Sequence, residues 1–336
     1  MTIAAIGLQK SPAPSLHGHI QIARIDHWIK TVFIIPGIVA ALALDRCSVT
    51  PRILEKAFLG LLAAALIASS NYVINEVMDA PFDRFHPLKR NRPVPSGRVS
   101  IPLAYFEWIA LGAIGLRLAL SVSLPFMLSL SGLWIMGCIY NIPPIRSKDI
   151  PYVDVLTEAI NNPIRLLAGW FIVSSSTIAP SSLLVSYWMG GCYFMALKRY
   201  AEYLHLKSEE RLTQYRSSLA YFTAEGLMVS AMFYGCASML FFGAFIMRYR
   251  MELVLSFPFI AWVMAVYLSL AFKPHSAVEH PEKLYRERKL MPAVVGCAFV
   301  MTICLLVDMP TLYKIFTPTA PVSRSYQWLH YAIDRK

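Results

Sequence analysis

Asn75-Glu-Val-Met-Asp79-Ala-Pro-Phe-Asp83-Arg84-Phe-His86-Pro-Leu-Lys89-Arg90-Asn-Arg92-Pro93-Val-Pro-Ser-Gly97 follows directly on an apolar run over 54–75. A run of that length is what a helix needs to cross a bilayer core of about 30 Å. Asn75, Asp79 and Asp83 recur at every fourth position, so a continuing helix puts all three on one face. Like charges at that spacing repel, and the arrangement costs stability unless a cation sits between them. Hard oxygen donors suit Mg²⁺, with Mn²⁺ as a substitute; Mg²⁺ keeps several waters and is usually shared with substrate phosphates. Asn75, Asp79 and Asp83 are therefore the candidate metal ligands and catalytic residues. Glu76, on a neighbouring face, either supports the metal's waters or is merely solvated. A plain acidic helix end is the simpler reading of the motif, but the basic run Arg84, His86, Lys89, Arg90 and Arg92 would be an odd neighbour for it. Pro87, Pro93 and Pro95 keep that run from forming a regular helix. Arg offers phosphate two parallel hydrogen bonds and Lys a point charge.

The rest of the chain reads as membrane. Of 336 residues 57% are hydrophobic and 15% charged, against about 25% charged in a soluble protein. Apolar segments run roughly over 28–44, 54–75, 101–120, 124–142, 152–174, 181–200, 222–247, 252–272 and 291–309. Backbone polar groups in lipid must be satisfied within their own segment, which selects helices. The expected fold is all-α, a multi-pass transmembrane bundle of about nine helices. A tail over 1–27 would precede a catalytic domain over 28–310 and a tail over 311–336. Residues 1–27 lack the compact apolar run of a secretory signal, so the first helix is expected to act as an uncleaved insertion signal. Five of the six cysteines lie in apolar segments and none forms a CxxC pair, which makes them small core hydrophobes.

The net charge is +11. In so apolar a chain this points to basic loops on an anionic leaflet and to phosphate ligands, not to nucleic acid. With the N-terminus placed in the cytoplasm, 20 of the 31 Lys and Arg fall in that tail and the loops after helices 2, 4, 6 and 8. Ten fall on the opposite side, and Arg165 lies within helix 5. The bias predicts an inner (plasma) membrane protein with its N-terminus and active site cytoplasmic and its C-terminus across the membrane.

Further candidates for substrate binding follow from position. Lys30 at the end of helix 1 either contacts a lipid phosphate or snorkels. Tyr140, Lys148 and Asp154 flank the loop after helix 4. Glu158 and Arg165 are ionisable groups at membrane depth, where such groups are usually functional or paired. Lys198, Arg199, Tyr200 and Glu202 follow helix 6, and Lys283 and Arg286 lie in the last cytoplasmic loop. No convincing His–carboxylate pair stands out in the sequence.

Asn75-x3-Asp79-x3-Asp83 followed by Lys89-x2-Arg92-Pro93-x3-Gly97 resembles the first signature of the UbiA superfamily of intramembrane prenyltransferases, and nine helices match that fold. Within it, Asp83-Arg84-x-His86-Pro87-x-Lys89-Arg90-x-Arg92-Pro93 looks like the decaprenyl-phosphate phosphoribosyltransferase branch. So do Trp28-Ile-Lys30, Arg165-Leu-Leu-Ala-Gly169 and Lys198-Arg199-Tyr200-Ala-Glu202. Members that prenylate aromatic rings carry a second Asp-rich motif after helix 6; this chain has Lys198, Arg199 and Glu202 there. The resemblance implies a Mg²⁺-dependent transfer of 5-phosphoribose from phosphoribosyl pyrophosphate to a polyprenyl phosphate, for arabinose-donor or glycan synthesis, nodulation-associated relatives included. An anionic acceptor needs no general base. Two other readings stay open: a polyprenyl diphosphate donor with an aromatic or small-molecule acceptor, and a transporter. A homo-oligomer is compatible with all three.

Overall fold

The computed structural model describes residues 13–45, 48–84, 89–208, 221–273, 276–279 and 281–316, with the side chains of 206–208 and 281–283 excepted. Among them the chain is helical without strands. Helix α1 (Leu16–Ile22) leads into a ten-residue 3₁₀ helix (Ile25–Ile34) that continues as α2 (Ile35–Leu44). There follow α3 (Pro51–Asp83), α4 (Ile101–Val122), α5 (Leu124–Asn141), α6 (Val153–Ala159) and α7 (Asn161–Val173). Next come α8 (Ser181–Ser208), α9 (Ala224–Tyr249), and α10 (Phe257–Ala271) after a 3₁₀ turn (Met251–Ser256). The series ends with α11 (Leu290–Leu306) and α12 (Pro310–Phe316).

Proline begins many of these helices. Pro36, Pro51, Pro102, Pro125 and Pro258 occupy first-turn positions, where the missing N–H would have had no partner and the fixed φ already suits a helix. Thr50, Ser123 and Thr223 cap their helices by accepting from the backbone N–H three residues on.

Among the described residues six helices, counting 3₁₀ extensions, are long and apolar enough to span a membrane, or seven if α11 and α12, bent by 92°, form one span. The protein is an integral membrane protein. The nine expected segments differ from this in two places. Segment 152–174 is broken at Ile160 into α6 and α7, with Pro163 in the first turn of the second piece. Helix α8 carries Lys198, Arg199 and Glu202 in its second half and is too polar to count as a span by composition.

Close backbone approaches set the packing. A Cβ on Gly37 would sit 1.9 Å from the Leu166 carbonyl oxygen, and one on Gly169 would sit 2.0 Å from that of Ile34. These glycines let α2 and α7 touch, the small-residue contact that membrane helices use where lipid offers no hydrophobic drive. Polar side chains fix α3 against its neighbours. Trp134 Nε1 donates to Ser70 Oγ at 2.9 Å, Ser70 Oγ to the Trp108 carbonyl at 2.7 Å, and Asn71 Nδ2 to the Leu133 carbonyl at 3.0 Å. At one end of the bundle Arg250 pairs with Asp308 at 2.7 Å, while buried Glu252 accepts from Met309 N and Tyr313 Oη. That knot holds the α11–α12 bend. The acidic motif of α3 emerges elsewhere, on the wall of a cavity of ≈ 2730 Å³.

Candidate active site

Helix α3 runs unbroken through Pro81 to Asp83, so Asn75, Asp79 and Asp83 share one face and line the cavity. The repulsion expected between them is relieved by cations of the protein itself. Asp79 Oδ1 accepts from Arg146 Nη2 at 3.0 Å and from the Lys148 ammonium, and Asp83 Oδ2 accepts from Arg92 Nη1 at 2.6 Å. Asn75 Nδ2 donates to Asn141 Oδ1, which Lys148 also contacts at 3.0 Å.

Those bonds use one oxygen of each carboxylate. Among the described residues Asn75 Oδ1, Asp79 Oδ2 and Asp83 Oδ1 accept no hydrogen bond. Three such oxygens on one helix face fit Mg²⁺, which takes one or two carboxylates and leaves its other positions to water and substrate oxygens. No group of three or more His, Cys, Asp or Glu among the described residues forms a complete metal cage, so a metal here depends on outside ligands such as a diphosphate.

The basic run divides. Lys89 and Arg92 line the cavity, whereas Arg84 and Arg90 are exposed and off its wall; His86 lies outside the described residues. Burial and the neighbouring Arg92 hold the Lys89 ammonium below its ordinary value, against the pull of Asp83, Glu202 and Asp79. Glu76 is 1% exposed and accepts from Val94 N at 3.0 Å. Its visible task is to pin the Pro93–Gly97 loop to α3.

A second polar knot faces the first. Arg199, 2% exposed, donates to Asp154 Oδ2 at 2.7 Å, Glu202 Oε2 at 2.7 Å, Glu158 Oε2 at 3.1 Å and Tyr140 Oη at 3.3 Å. Tyr140 in turn donates to Glu158 at 2.7 Å, and Lys198 lies 4.0 Å from Glu202. The expectation that Arg199 offers an open guanidinium to a phosphate is corrected by this geometry: three carboxylates and a phenol occupy it. Tyr140, Lys148, Glu158, Lys198, Arg199, Glu202 and Lys30 line the cavity. Asp154 does not; it is fully buried behind Arg199. Tyr200 packs its ring 5.5 Å from Phe272, away from the cavity. Arg286 is exposed and bonds Tyr285 Oη, and the Lys283 side chain lies outside those described. Arg165 forms no ion pair or hydrogen bond among the described residues, and Tyr72, Tyr187 and Glu158 stand within its electrostatic reach.

Several cavity residues escaped sequence reasoning. Arg146 is held at φ 32°, a left-handed conformation that costs a non-glycine residue about 1–3 kcal/mol. That conformation carries its guanidinium to Asp79, to Asp149 at 2.6 Å and to the Met78 carbonyl at 3.2 Å. Nothing in the sequence separates it from an ordinary topology charge. His205 Nδ1 lies 2.8 Å from Glu279 Oε2, and both line the cavity; a sequence separation of 74 hid this His–carboxylate pair. Arg24, His27 and Tyr72 also reach the wall.

A decaprenyl-phosphate phosphoribosyltransferase of Mycobacterium tuberculosis is 29% identical over 213 residues, 63% of this chain and 68% of that one. A digeranylgeranylglyceryl phosphate synthase of Sulfolobus acidocaldarius is 43% identical over 70 residues, 20% of this chain and 25% of that one. The structure of a UbiA homolog from Archaeoglobus fulgidus bound to GPP and Mg²⁺ shares the fold, with a TM-score of 0.63 and 20% identity over 83% of this chain and 97% of that one. A profile of the UbiA prenyltransferase family matches residues 33–291, well over half the sequence. The chain belongs to the UbiA prenyltransferase family.

Proposed function

We propose that this protein transfers 5-phosphoribose from phosphoribosyl pyrophosphate to a polyprenyl phosphate and releases diphosphate at the cytoplasmic face of the membrane. The observation that carries the reading is the closed state of the second knot. Asp154, Glu158 and Glu202 converge on the buried Arg199, which neutralises them from within, and Asp154 lies off the cavity wall, whereas Asn75, Asp79 and Asp83 share one helix face on it. One diphosphate clamp suits one diphosphate donor. The similarity to a phosphoribosyltransferase over two thirds of its length supports the same choice.

Asn75, Asp79 and Asp83 would hold Mg²⁺, which when bound supplies charge neutralisation to the leaving diphosphate. Lys89, Arg92, Arg146 and Lys148 surround the same helix face with fixed positive charge that grows in value as the diphosphate departs. Arg146 and Lys148 also orient the Asp79 carboxylate. The ribose C1–diphosphate bond breaks, and an oxygen of the acceptor phosphate forms the new bond to C1. Knot residues Glu158 and Tyr140 stand where ribose hydroxyls could be read.

The 43% identity to a digeranylgeranylglyceryl phosphate synthase over 70 residues favours a second reading, with a polyprenyl diphosphate as donor and a small alcohol or aromatic acceptor. Diphosphate release by the purified protein separates the two. Release from phosphoribosyl pyrophosphate in the presence of polyprenyl phosphate and Mg²⁺ supports the first; release from polyprenyl diphosphate alone rejects it.

A further inference from the structure

The first apolar segment does not enter the bundle as an α-helix. Ile25–Ile34 is a 3₁₀ helix of ten residues, although such runs rarely exceed three or four. A 3₁₀ helix has three residues per turn, so side chains three apart eclipse in straight columns. In an α-helix the set i, i+3, i+6 would fan over about 120°.

The three columns differ in surroundings, and the exposed one, Asp26, Ile29, Val32 and Ile35, also borders the cavity. One faces the bundle: Trp28 Nε1 donates to Ser69 Oγ at 2.9 Å, and Ile34 is fully buried. A second, Arg24, His27 and Lys30, faces the cavity and meets one aromatic ring there. The Arg24 guanidinium lies 5.6 Å from the Tyr72 centroid, the Lys30 ammonium 5.7 Å, and the His27 ring stands edge-on at 5.1 Å. Arg24 begins the column at φ 47°, a left-handed conformation for a bulky residue. The same column continues with Phe33 and Pro36, and α2 extends it with Val39, all on the cavity wall.

The members of this column differ in their partners. Lys30 makes no ion pair or hydrogen bond among the described residues. Arg24 is 3.8 Å from Glu76, and His27 is 3.4 Å from the exposed Asp26. Arg165 adds a further cation within reach of Tyr72. A basic column on the cavity wall, leading straight into apolar side chains, has the polarity of an anionic headgroup on a hydrocarbon chain.

We infer that Arg24, His27 and Lys30 form the headgroup site for an isoprenoid phosphomonoester, with the first isoprene units along Phe33, Pro36 and Val39. This rests on the proposed reaction for its purpose: Tyr72 precedes Asp79 by two turns, about 10 Å of α3, which sets the acceptor phosphate beside the diphosphate clamp without sharing its ligands. The 3₁₀ geometry is what aligns the basic column, so the site is a property of local backbone conformation as much as of composition.

The test is direct binding by calorimetry in detergent, with farnesyl phosphate as probe and no Mg²⁺ present. Parallel arms use inorganic phosphate and Mg²⁺–phosphoribosyl pyrophosphate. Lys30→Gln should weaken farnesyl phosphate binding about tenfold or more, the loss of one charged contact to phosphate, while Lys30→Arg stays within about threefold of wild type. Affinity for phosphoribosyl pyrophosphate should be unchanged in both. The inference is overturned if Lys30→Gln binds farnesyl phosphate as wild type does, if it weakens the sugar donor equally, or if inorganic phosphate displaces the lipid at equal concentration. Because binding is read without turnover, a protein that ignores phosphoribosyl pyrophosphate but binds farnesyl phosphate through Lys30 refutes the proposed reaction and leaves this site standing.

Discussion

Arg199→Gln separates a structural counter-ion from a substrate-binding cation. In the fold Arg199 is 2% exposed, and the carboxylates it bridges, Asp154, Glu202 and Glu158, lie at 2.7, 2.7 and 3.1 Å. Glutamine can replace at most one or two of those bonds and none of the charge. Each charge-assisted bond is worth roughly 1.5–3 kcal/mol. The three are not additive, and removing one partner from a buried ionic network typically costs about 3–5 kcal/mol, because the remaining charges are stranded. That is a large part of the 5–15 kcal/mol typical of a folded domain. At about 2–4 °C per kcal/mol, the unfolding midpoint of the detergent-solubilised protein should fall by about 6 °C or more. The midpoint can be followed by a thiol-reactive fluorophore, since Cys192, Cys297 and Cys304 are buried in the fold. Adding Glu202→Gln to Arg199→Gln should recover part of the midpoint, by removing one of the stranded charges. The reasoning is refuted if Arg199→Gln melts within about 1 °C of wild type and only raises the KM for a phosphorylated substrate.

Other perturbations have equally definite expectations. Asp79→Asn and Asp83→Asn should each lower product formation by about a thousandfold, of the order set by losing one preorganised charge contact in an active site. Asp79→Asn should also destabilise more, because it removes a carboxylate shared by two cations, Arg146 and Lys148, at 14% and 6% side-chain exposure, whereas Asp83→Asn removes the ion-pair partner of the more exposed Arg92, at 24%; equal melting points would contradict this. Lys89, held below the ordinary lysine value of 10.5, should lose its proton before other lysines as pH rises. Between its lowered value and the ordinary one the unfolded chain binds more protons, so stability rises with pH there, while activity that needs the ammonium falls. Lys89→Arg should move that alkaline limb of kcat/KM upward, and an unmoved limb removes Lys89 from the site. Gly169→Ala forces a Cβ to 2.0 Å from the Ile34 carbonyl and should abolish correctly folded protein in detergent chromatography, whereas Gly132→Ala, with open space around its Cβ, should be silent.

Much of this architecture was legible in the sequence. Apolar length announced the membrane helices, and the four-residue spacing of Asn75, Asp79 and Asp83 announced a shared face, because both depend only on helical period. What local pattern cannot show is who meets whom across the bundle. Arg146 reads as a topology charge until its left-handed backbone carries it to Asp79. Arg199 reads as an open cation until Asp154 and Glu158 of α6 and Glu202 of its own helix close on it. His205 and Glu279 are paired only by the packing of the turn after α10 against α8. The 3₁₀ course of Ile25–Ile34 was invisible for a different reason: its apolar content satisfies an α-helical reading equally well, and the column of Arg24, His27 and Lys30 appears only at three residues per turn. The Pro163 break between α6 and α7 could have been read from the residue itself, had it weighed more than the length of the apolar run.

Mass spectrometry of the lipid fraction after incubating purified protein with phosphoribosyl pyrophosphate, polyprenyl phosphate and Mg²⁺ tests the central claim most directly. The account predicts a polyprenyl-phosphate-linked phosphoribose that disappears with EDTA and in Asp79→Asn. An unmodified lipid phosphate, alongside a prenylated acceptor formed when polyprenyl diphosphate is supplied instead, would contradict it.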